Sequence, residues 1–183
     1  MTPPSAPTLE TARLHLVGAT RALLKAEMHN RPLLSVLLGA EVLAGWPPEH
    51  NDIGTMQYML DLIEHDPANL PWGYFYVVLR ASHDGPRLIG GCGFKGKPDD
   101  SGSVEIGYSF LKEYQGLGYG TEAVEGLVRH AFSYNAVESI VAETFPEVTG
   151  SIRVLEKNRF QREDGASEPG ALRFRLRRTR NFA

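Results

Sequence analysis

The chain has 183 residues, of which 42% are hydrophobic and 22% are charged. This length and this composition, which is ordinary for a soluble protein, predict a single domain over residues 1–183. The formal net charge of −3 argues against nucleic acid as the main partner.

The start of the chain and its cysteine content indicate a compartment. Residues 1–7 lack the basic start and apolar run of a secretory signal, and their prolines predict disorder. No apolar stretch approaches the ~20 residues that cross a bilayer. Cys92 is the single cysteine, so no intrachain disulfide can form and a reducing compartment is favoured. We therefore expect a cytoplasmic protein without a membrane partner.

The first quarter of the chain predicts one strand followed by helices. Leu14 and Leu16 alternate with Arg13 and His15, which predicts a first strand over residues 9–17. Thr20 has the side chain of a helix N-cap, and apolar residues follow it at helical spacing. A second helix is predicted after Pro32, and a third over residues 53–63, ended by Asp66-Pro67.

The remaining pattern predicts more strands and two further helices. Residues 74–79 and 88–94 read as an antiparallel hairpin, and a further turn leads into a strand over 104–110. Helical spacing follows from Ala123 to Phe132. A strand at 139–144, a helix at 149–158 and a last strand at 172–176 complete the order.

Two adjoining segments carry the main functional signal. Val104-Glu-Ile-Gly-Tyr-Ser-Phe110 alternates as a strand, and Gln115-Gly-Leu-Gly-Tyr-Gly-Thr-Glu-Ala123 places three glycines where a helix begins. A helix start presents unpaired N–H groups and the positive end of its dipole, which attract an anion such as a phosphate. A Walker loop would need a Lys after the glycines, and a dinucleotide fingerprint would need different glycine spacing.

The run Gln115-x-x-Gly118-x-Gly120, preceded by Glu-Ile-Gly-Tyr and followed by Thr-Glu-Ala, closely resembles the acyl-CoA pyrophosphate loop of the GNAT superfamily of N-acetyltransferases. The residues of this segment are most similar in kind to those of the Rim-type branch, which is named for enzymes that acetylate ribosomal-protein N-termini. The resemblance implies a mixed α/β fold of the GNAT type. Such a fold has a central, mostly antiparallel sheet, flanking helices, and fourth and fifth strands that splay apart.

The resemblance also implies a set of acyl-CoA contacts. Amides near the end of the central strand, at Phe110 and Leu111, would face the thioester. The pyrophosphate would lie on a loop and helix start made of Gln115, Gly116, Leu117, Gly118, Tyr119, Gly120 and Thr121. The competing interpretation is a structural glycine turn between a strand and a helix.

Glu105 is the candidate general base. It points away from Val104 and Ile106 on the central strand. Carboxylates in this strand of several GNAT enzymes deprotonate the incoming amine, often through water. The alternative is a solvated carboxylate, or one paired with a nearby Arg or Lys, and the two interpretations are close to balanced.

The helix at 149–158 resembles a second GNAT signature, Pro-Glu-Asn-x-x-Ser-x-x-Val-Leu-Glu-Lys-x-Gly-Phe, with departures. Val148 replaces an Asn that caps the helix, although Thr149 could take over the capping. Arg159 replaces a Gly, so a left-handed helix end is less comfortable. Leu155 occupies the position of the usual general-acid Tyr. Ser151, one turn earlier, is then the best hydroxyl to serve the coenzyme sulfur, unless it bonds only its own first turn.

The histidines show no metal-ligating spacing, and Cys92 has no partner, so no metal is expected. His29, His50 and His65 could line an acceptor cleft but are expected to be surface residues.

The sequence thus predicts acetyl transfer from acetyl-CoA to a primary amine, either a protein N-terminus or a small molecule, by direct attack within a ternary complex. A monomer or homodimer is compatible with it. Two alternatives stay open: a non-catalytic acyl-CoA-binding regulator and, more weakly, a nucleotide-binding α/β module.

Overall fold

The computed structural model describes residues 6–49, 51–81 and 83–179. Within these ranges the chain forms nine strands and five α-helices. The strands are β1 Thr8–Glu10, β2 Leu14–Gly18, β3 Glu41–Val42, β4 Tyr74–Leu79, β5 Arg87–Phe94, β6 Ser103–Phe110, β7 Ser139–Thr144, β8 Gln161–Glu163 and β9 Leu172–Arg177. The helices are α1 Arg21–His29, α2 Arg31–Leu38, α3 Ile53–His65, α4 Tyr119–Phe132 and α5 Thr149–Lys157. Short 3-10 helices cover Pro67–Trp72 and Lys112–Tyr114.

All nine strands belong to one sheet, in the order β1-β2-β4-β5-β6-β7-β9-β8, with β3 added beside β5. Neighbouring strands are antiparallel except for the pairs β6–β7 and β3–β5. This mixed sheet with flanking helices confirms the predicted fold class. The predicted hairpin is β4–β5, and α3 and β7 lie where the periodicity placed them.

Two hydrophobic cores lie on opposite faces of the sheet. The α4 face carries Phe75 and Cys92, which pack with apolar residues of α4 and α5. The α1 face carries Tyr74, Tyr76 and Leu88, which pack with α1, α2 and α3. Because successive strand residues alternate between faces, the central strand β4 contributes to both cores.

The strands β6 and β7 separate partway along their length. Their parallel register runs from Ser103 opposite Ser139 to Glu105 opposite Val141. Beyond Glu105, β6 continues to Phe110 beside β5, whereas β7 pairs with β9 over its whole length. The two strands follow different neighbours and diverge, which confirms the splayed pair implied by the resemblance.

The single strand predicted over residues 9–17 is wrong in one respect, because it is two strands, β1 and β2, joined by a turn. The Thr11 N–H donates to the Leu14 carbonyl across this turn at 3.0 Å. The Thr11 hydroxyl and the Arg13 N–H of this turn donate to Glu122 of α4, which is 109 residues from Arg13. Leu9 is out of phase with Leu14 and Leu16, so the apolar alternation changes phase within this stretch, and a single strand does not account for it.

Helix ends follow the sequence with one exception. The Thr20 and Asp52 side chains cap α1 and α3, accepting from the N–H groups of Leu23 and Thr55. The suggestion that Thr149 caps α5 is wrong, since Val148 occupies the N-cap position and no side chain caps that end. Arg159 does adopt the left-handed conformation expected after α5, with φ of 64°.

Of residues 1–7, which were predicted to be disordered, residues 1–5 lie outside the described ranges. His50, a candidate for the acceptor cleft, also lies outside them. Pro7, in contrast, accepts a hydrogen bond from the Gly18 N–H at 2.8 Å.

Candidate active site

The glycine loop connects the end of β6 to the start of α4. Gly116 and Gly118 have φ values of 74° and 84°, in the region where a side chain is strained. Gly118 is the N-cap of α4, and no side chain caps this end. The first N–H groups of a fourteen-residue helix are therefore left without a side-chain acceptor, in a loop exposed from Gln115 to Gly118.

Gly120 is required for a different reason. A Cβ on this residue would lie 3.3 Å from Val154 Cγ2 and 3.7 Å from the Phe110 ring. Its small size therefore lets α4 approach α5 and the end of β6. The sequence interpretation gave all three glycines the same role, which was to let a phosphate approach the backbone. In the structure Gly116 and Gly118 are needed for their positive φ, whereas Gly120 is needed for close packing.

The predicted amides at the end of β6 differ in availability. The Leu111 N–H donates to the Ile89 carbonyl of β5 at 3.0 Å, so this amide is engaged within the sheet. Backbone groups of successive residues point to opposite sides of a strand, which directs the Phe110 N–H toward the gap beside β7. The Gln115 side chain donates to the Phe110 carbonyl at 2.9 Å and so braces the loop against β6.

Arg13 is a residue of this region that the sequence interpretation did not identify. Its Nε donates to Glu122 Oε2 at 2.7 Å and its Nη1 donates to the Leu117 carbonyl at 3.2 Å. The guanidinium also lies 4.3 Å from the centre of the Tyr119 ring. The turn between β1 and β2 thus places a cation against the glycine loop.

Glu122, in the first turn of α4, is the acceptor that holds this turn. Its Oε1 accepts from Thr11 Oγ1 and from the Arg13 N–H, both at 2.6 Å. Burial would raise the pKa of Glu122, but these hydrogen bonds and the Arg13 charge outweigh it and lower the pKa below its ordinary value. Glu122 is therefore a charged carboxylate within one turn of the helix start.

Ser151 lies in the first turn of α5, and its hydroxyl has a partner on β6. The Tyr108 hydroxyl is 2.9 Å from Ser151 Oγ and 3.2 Å from the Ser151 carbonyl oxygen. Burial raises the pKa of Tyr108 to about 12, so its phenol keeps its proton near neutrality. Leu155, at the usual position of the general-acid tyrosine, is fully buried in the core. The pair of hydroxyls spans the gap between β6 and α5.

Glu105 lies on the α1 face, where its side chain forms an ion pair with Lys95. The carboxylate is 29% exposed. A lysine partner is one of the two interpretations that the sequence left open. The structure brings Glu105 to neither the glycine loop nor Ser151, since those lie at the other end of β6 and on the α4 face.

A cavity of about 370 Å³ opens on the α1 face between α1, α2 and the start of α3. Glu27 and Trp46 line it, and Trp46 Nε1 donates to Glu27 Oε1 at 2.6 Å. Burial raises the pKa of Glu27, although the hydrogen bond from Trp46 partly offsets this. The second oxygen of Glu27 and the hydroxyl of Tyr76 are buried without a hydrogen bond of ordinary length in the described part of the chain, but they lie close enough to each other that Tyr76 also lowers the pKa of Glu27.

Near the cavity, one residue of β5 is a glycine, Gly91. The cavity-lining residue Asn51 donates to the Tyr74 hydroxyl at 2.6 Å. Both groups occupy the space that a Gly91 side chain would fill, and Gly91 lies opposite Ser109 of β6. Asn51 and Tyr74 thereby cover Gly91 on the α1 face, and the described residues that line the cavity belong to α1, α2, α3 and the loop before α3 rather than to the sheet.

Two further findings bear on the predicted ligands. Among the residues that the structure describes, no group of three or more His, Cys, Asp or Glu side chains could hold a metal ion. No helix in the described part of the chain is long and apolar enough to cross a membrane. Of the three histidines considered for an acceptor cleft, His29 lines the cavity, whereas His65 is an exposed residue at the end of α3.

The chain is similar to known proteins in both sequence and structure. The acetyltransferase (GNAT) domain family matches residues 22–161. The chain is 29% identical over 149 residues to YjdG, an uncharacterised N-acetyltransferase of Bacillus subtilis, covering 81% of this chain and 86% of the relative. Similar solved structures include Mycobacterium smegmatis RimJ in complex with CoA-disulfide (TM-score 0.62, 18% identity, 96% of this chain and 88% of that one). Another is RimL, a ribosomal L7/L12 alpha-N-protein acetyltransferase, in complex with coenzyme A (TM-score 0.65, 14% identity, 93% and 98%). At these identities the two structures establish a shared fold.

Proposed function

Because the chain belongs to the GNAT acetyltransferase family, we propose that it transfers the acetyl group of acetyl-CoA to a primary amine by direct attack in a ternary complex. The observation that carries this proposal is the arrangement around β6. The glycine loop and uncapped start of α4 lie at its end, and β7 diverges beside it. A phosphate site and an open strand edge therefore lie next to each other.

The residues of the loop fit the phosphates of acetyl-CoA. The positive φ of Gly116 and Gly118 and the uncapped first turn of α4 form a side-chain-free cradle, and Arg13 neutralises the Glu122 carboxylate beside it. The amides of Gln115–Thr121 would bind the pyrophosphate, and the Phe110 N–H would donate a hydrogen bond to the pantetheine part of acetyl-CoA. When bound, acetyl-CoA supplies an acetyl thioester as the electrophile.

Two proton problems remain for the protein. The amine must lose a proton before or during attack, and Glu105 is the proposed base, acting directly or through water. Its ion pair with Lys95 ties the carboxylate to a partner with which the amine would have to compete. The departing sulfur must be stabilised as a thiolate, and the Ser151 hydroxyl, on the α4 face beside Tyr108, is the proposed hydrogen-bond donor.

The acceptor is proposed to occupy the α1-face cavity. Glu27 gives the cavity a partly desolvated carboxylate, a group that favours a cationic partner such as an ammonium. The lining residue Asn51 contacts Tyr74 over Gly91, and Gly91 lies opposite Ser109 of β6. The amine and the acyl-CoA would then approach β6 from opposite faces. A peptide N-terminus and a small-molecule amine both satisfy this chemistry.

A ligand-binding panel tests the proposal and separates it from the alternatives. Acetyl-CoA at a hundred times its Kd should stabilise the fold by about 2.7 kcal/mol, whereas NAD and ATP should have no effect. Thiol release from acetyl-CoA is then screened against N-terminal peptides, polyamines, amino acids and aminoglycosides. Stabilisation without turnover on any amine would favour a regulator, an alternative kept open by the uncapped α5 and by Leu155. Stabilisation by NAD or ATP instead would contradict the proposal.

A further inference from the structure

We infer that Tyr108 is a positioning residue for thiolate stabilisation: it orients the Ser151 hydroxyl so that the serine proton points to the coenzyme sulfur. This inference rests on the proposed function above. It assigns a role in the reaction to a side chain of β6, on the opposite side of the gap from α5.

The position of Tyr108 in the sheet is the first step of the argument. It lies three residues beyond Glu105, the last residue of β6 in register with β7. Its side chain points to the α4 face, because its partner Cys92 on β5 lies in the core on that face. Tyr108 therefore projects from the part of β6 that borders the gap, toward the first turn of α5.

The hydrogen-bond geometry is the second step. The tyrosine proton has two acceptors, Ser151 Oγ at 2.9 Å and the Ser151 carbonyl oxygen at 3.2 Å. When the phenol donates to Oγ, the serine cannot donate back, and its own proton is free to point elsewhere. A sulfur that gains negative charge would favour this arrangement, because a chain of hydrogen bonds strengthens as its terminal acceptor becomes charged.

The burial of the phenol is the third step. Tyr108 keeps its proton near neutrality, so it acts as a donor rather than as an acid that is consumed in each cycle. Leu155 fills the family's usual tyrosine position with an apolar side chain that is fully buried. The structure thus supplies a phenol from β6 instead of from the helix.

The chemical step balances without proton transfer from Tyr108. A bond forms between the amine nitrogen and the acetyl carbon, and the carbon–sulfur bond breaks with its electron pair remaining on sulfur. The amine proton leaves to the base or to water. Ser151 donates a hydrogen bond to the thiolate, Tyr108 donates to Ser151, and the thiolate takes its proton from solvent after release.

The test is the pKa of the CoA thiol when CoA is bound to the protein, which requires no amine acceptor. The thiolate absorbance of the CoA complex is titrated against pH, with the desulfo-CoA complex as the blank. We expect the wild type to lower the thiol pKa, and Tyr108→Phe to raise it by about one unit, a tenfold loss of thiolate stabilisation. Ser151→Ala should raise it similarly, and the double variant no further, because both act on one hydrogen bond. Tyr134→Phe, at an exposed tyrosine after α4, is the matched control and should change nothing.

Turnover gives a second readout. Ser151→Ala should lower turnover about ten- to a hundredfold, and Tyr108→Phe about tenfold, with less than a threefold change in the Kd of CoA. Normal CoA binding with an unchanged thiol pKa in Tyr108→Phe would overturn the inference and reduce the phenol to a structural partner of α5. A wild type that does not bind CoA would instead overturn the proposed function, and this inference with it.

Discussion

The contact between Arg13 and Glu122 makes a prediction about acetyl-CoA binding. Arg13→Ala removes the cation that neutralises Glu122, a carboxylate only 13% exposed in the first turn of α4. That negative charge would then lie within about one helical turn, or ~6 Å, of phosphates bound at the helix start. At an effective dielectric constant of about 20–40, repulsion at this distance costs about 1.4–2.8 kcal/mol per unit charge. We therefore expect the Kd of acetyl-CoA to rise about ten- to a hundredfold.

A second substitution separates charge from simple loss of structure. In the double variant Arg13→Ala with Glu122→Gln, the repulsion is gone, and Kd should return to within about threefold of the wild type. Calorimetric titration with acetyl-CoA measures both variants, and thermal unfolding checks their folding. Arg21→Ala is the control, because it removes an exposed ion pair between Arg21 of α1 and Glu64 of α3. If Arg13→Ala bound acetyl-CoA normally, or if the double variant stayed as weak as the single one, the electrostatic reasoning would be refuted.

The same contact predicts a pH dependence of stability. The pKa of Glu122 is lowered in the folded protein below its ordinary value of 4.5. A lowered carboxyl pKa stabilises the fold above the unfolded-state pKa, and this stabilisation is lost as the pH falls through the folded-state pKa. Thermal unfolding from pH 7 to pH 3 should show that Glu122→Gln removes part of the loss below pH 4.5. An identical acid profile in the variant would contradict the assigned contact.

Three further predictions concern the remaining site residues. Gly118→Val should abolish acetyl-CoA binding by adding a branched side chain to the loop, whereas Gly165→Val, with the same positive φ but no neighbour within 4 Å, should bind normally. If both variants bound acetyl-CoA equally well, acetyl-CoA would not bind at this loop. Cys92→Ala should keep its activity, because burial raises the pKa of the thiol and no base adjoins it; a trapped acetyl-cysteine would exclude direct transfer. Glu105→Gln should lower the rate at neutral pH about 10²–10⁴-fold and recover at high pH, whereas Lys95→Gln removes the ion pair but keeps the base. A wild-type pH–rate profile in Glu105→Gln would leave the carboxylate a structural role.

The local sequence determined the elements from which the site is built. Glycine spacing placed a turn with positive φ before α4, and the change from alternating to helical periodicity located β6 and α4 on either side of it. Thr20 marked the start of α1 because capping is a contact between residues three apart.

The pairing of distant side chains was decided only by the tertiary structure. Arg13 meets Glu122 across 109 residues, and Tyr108 meets Ser151 across 43. The Leu111 amide is engaged because β5, rather than a ligand, lies on that side of β6. Periodicity reports which face of an element is apolar, but not which strand becomes its neighbour in the sheet. That choice depends on the sum of many burial and backbone pairing energies over the whole chain, so no short stretch of residues contains it.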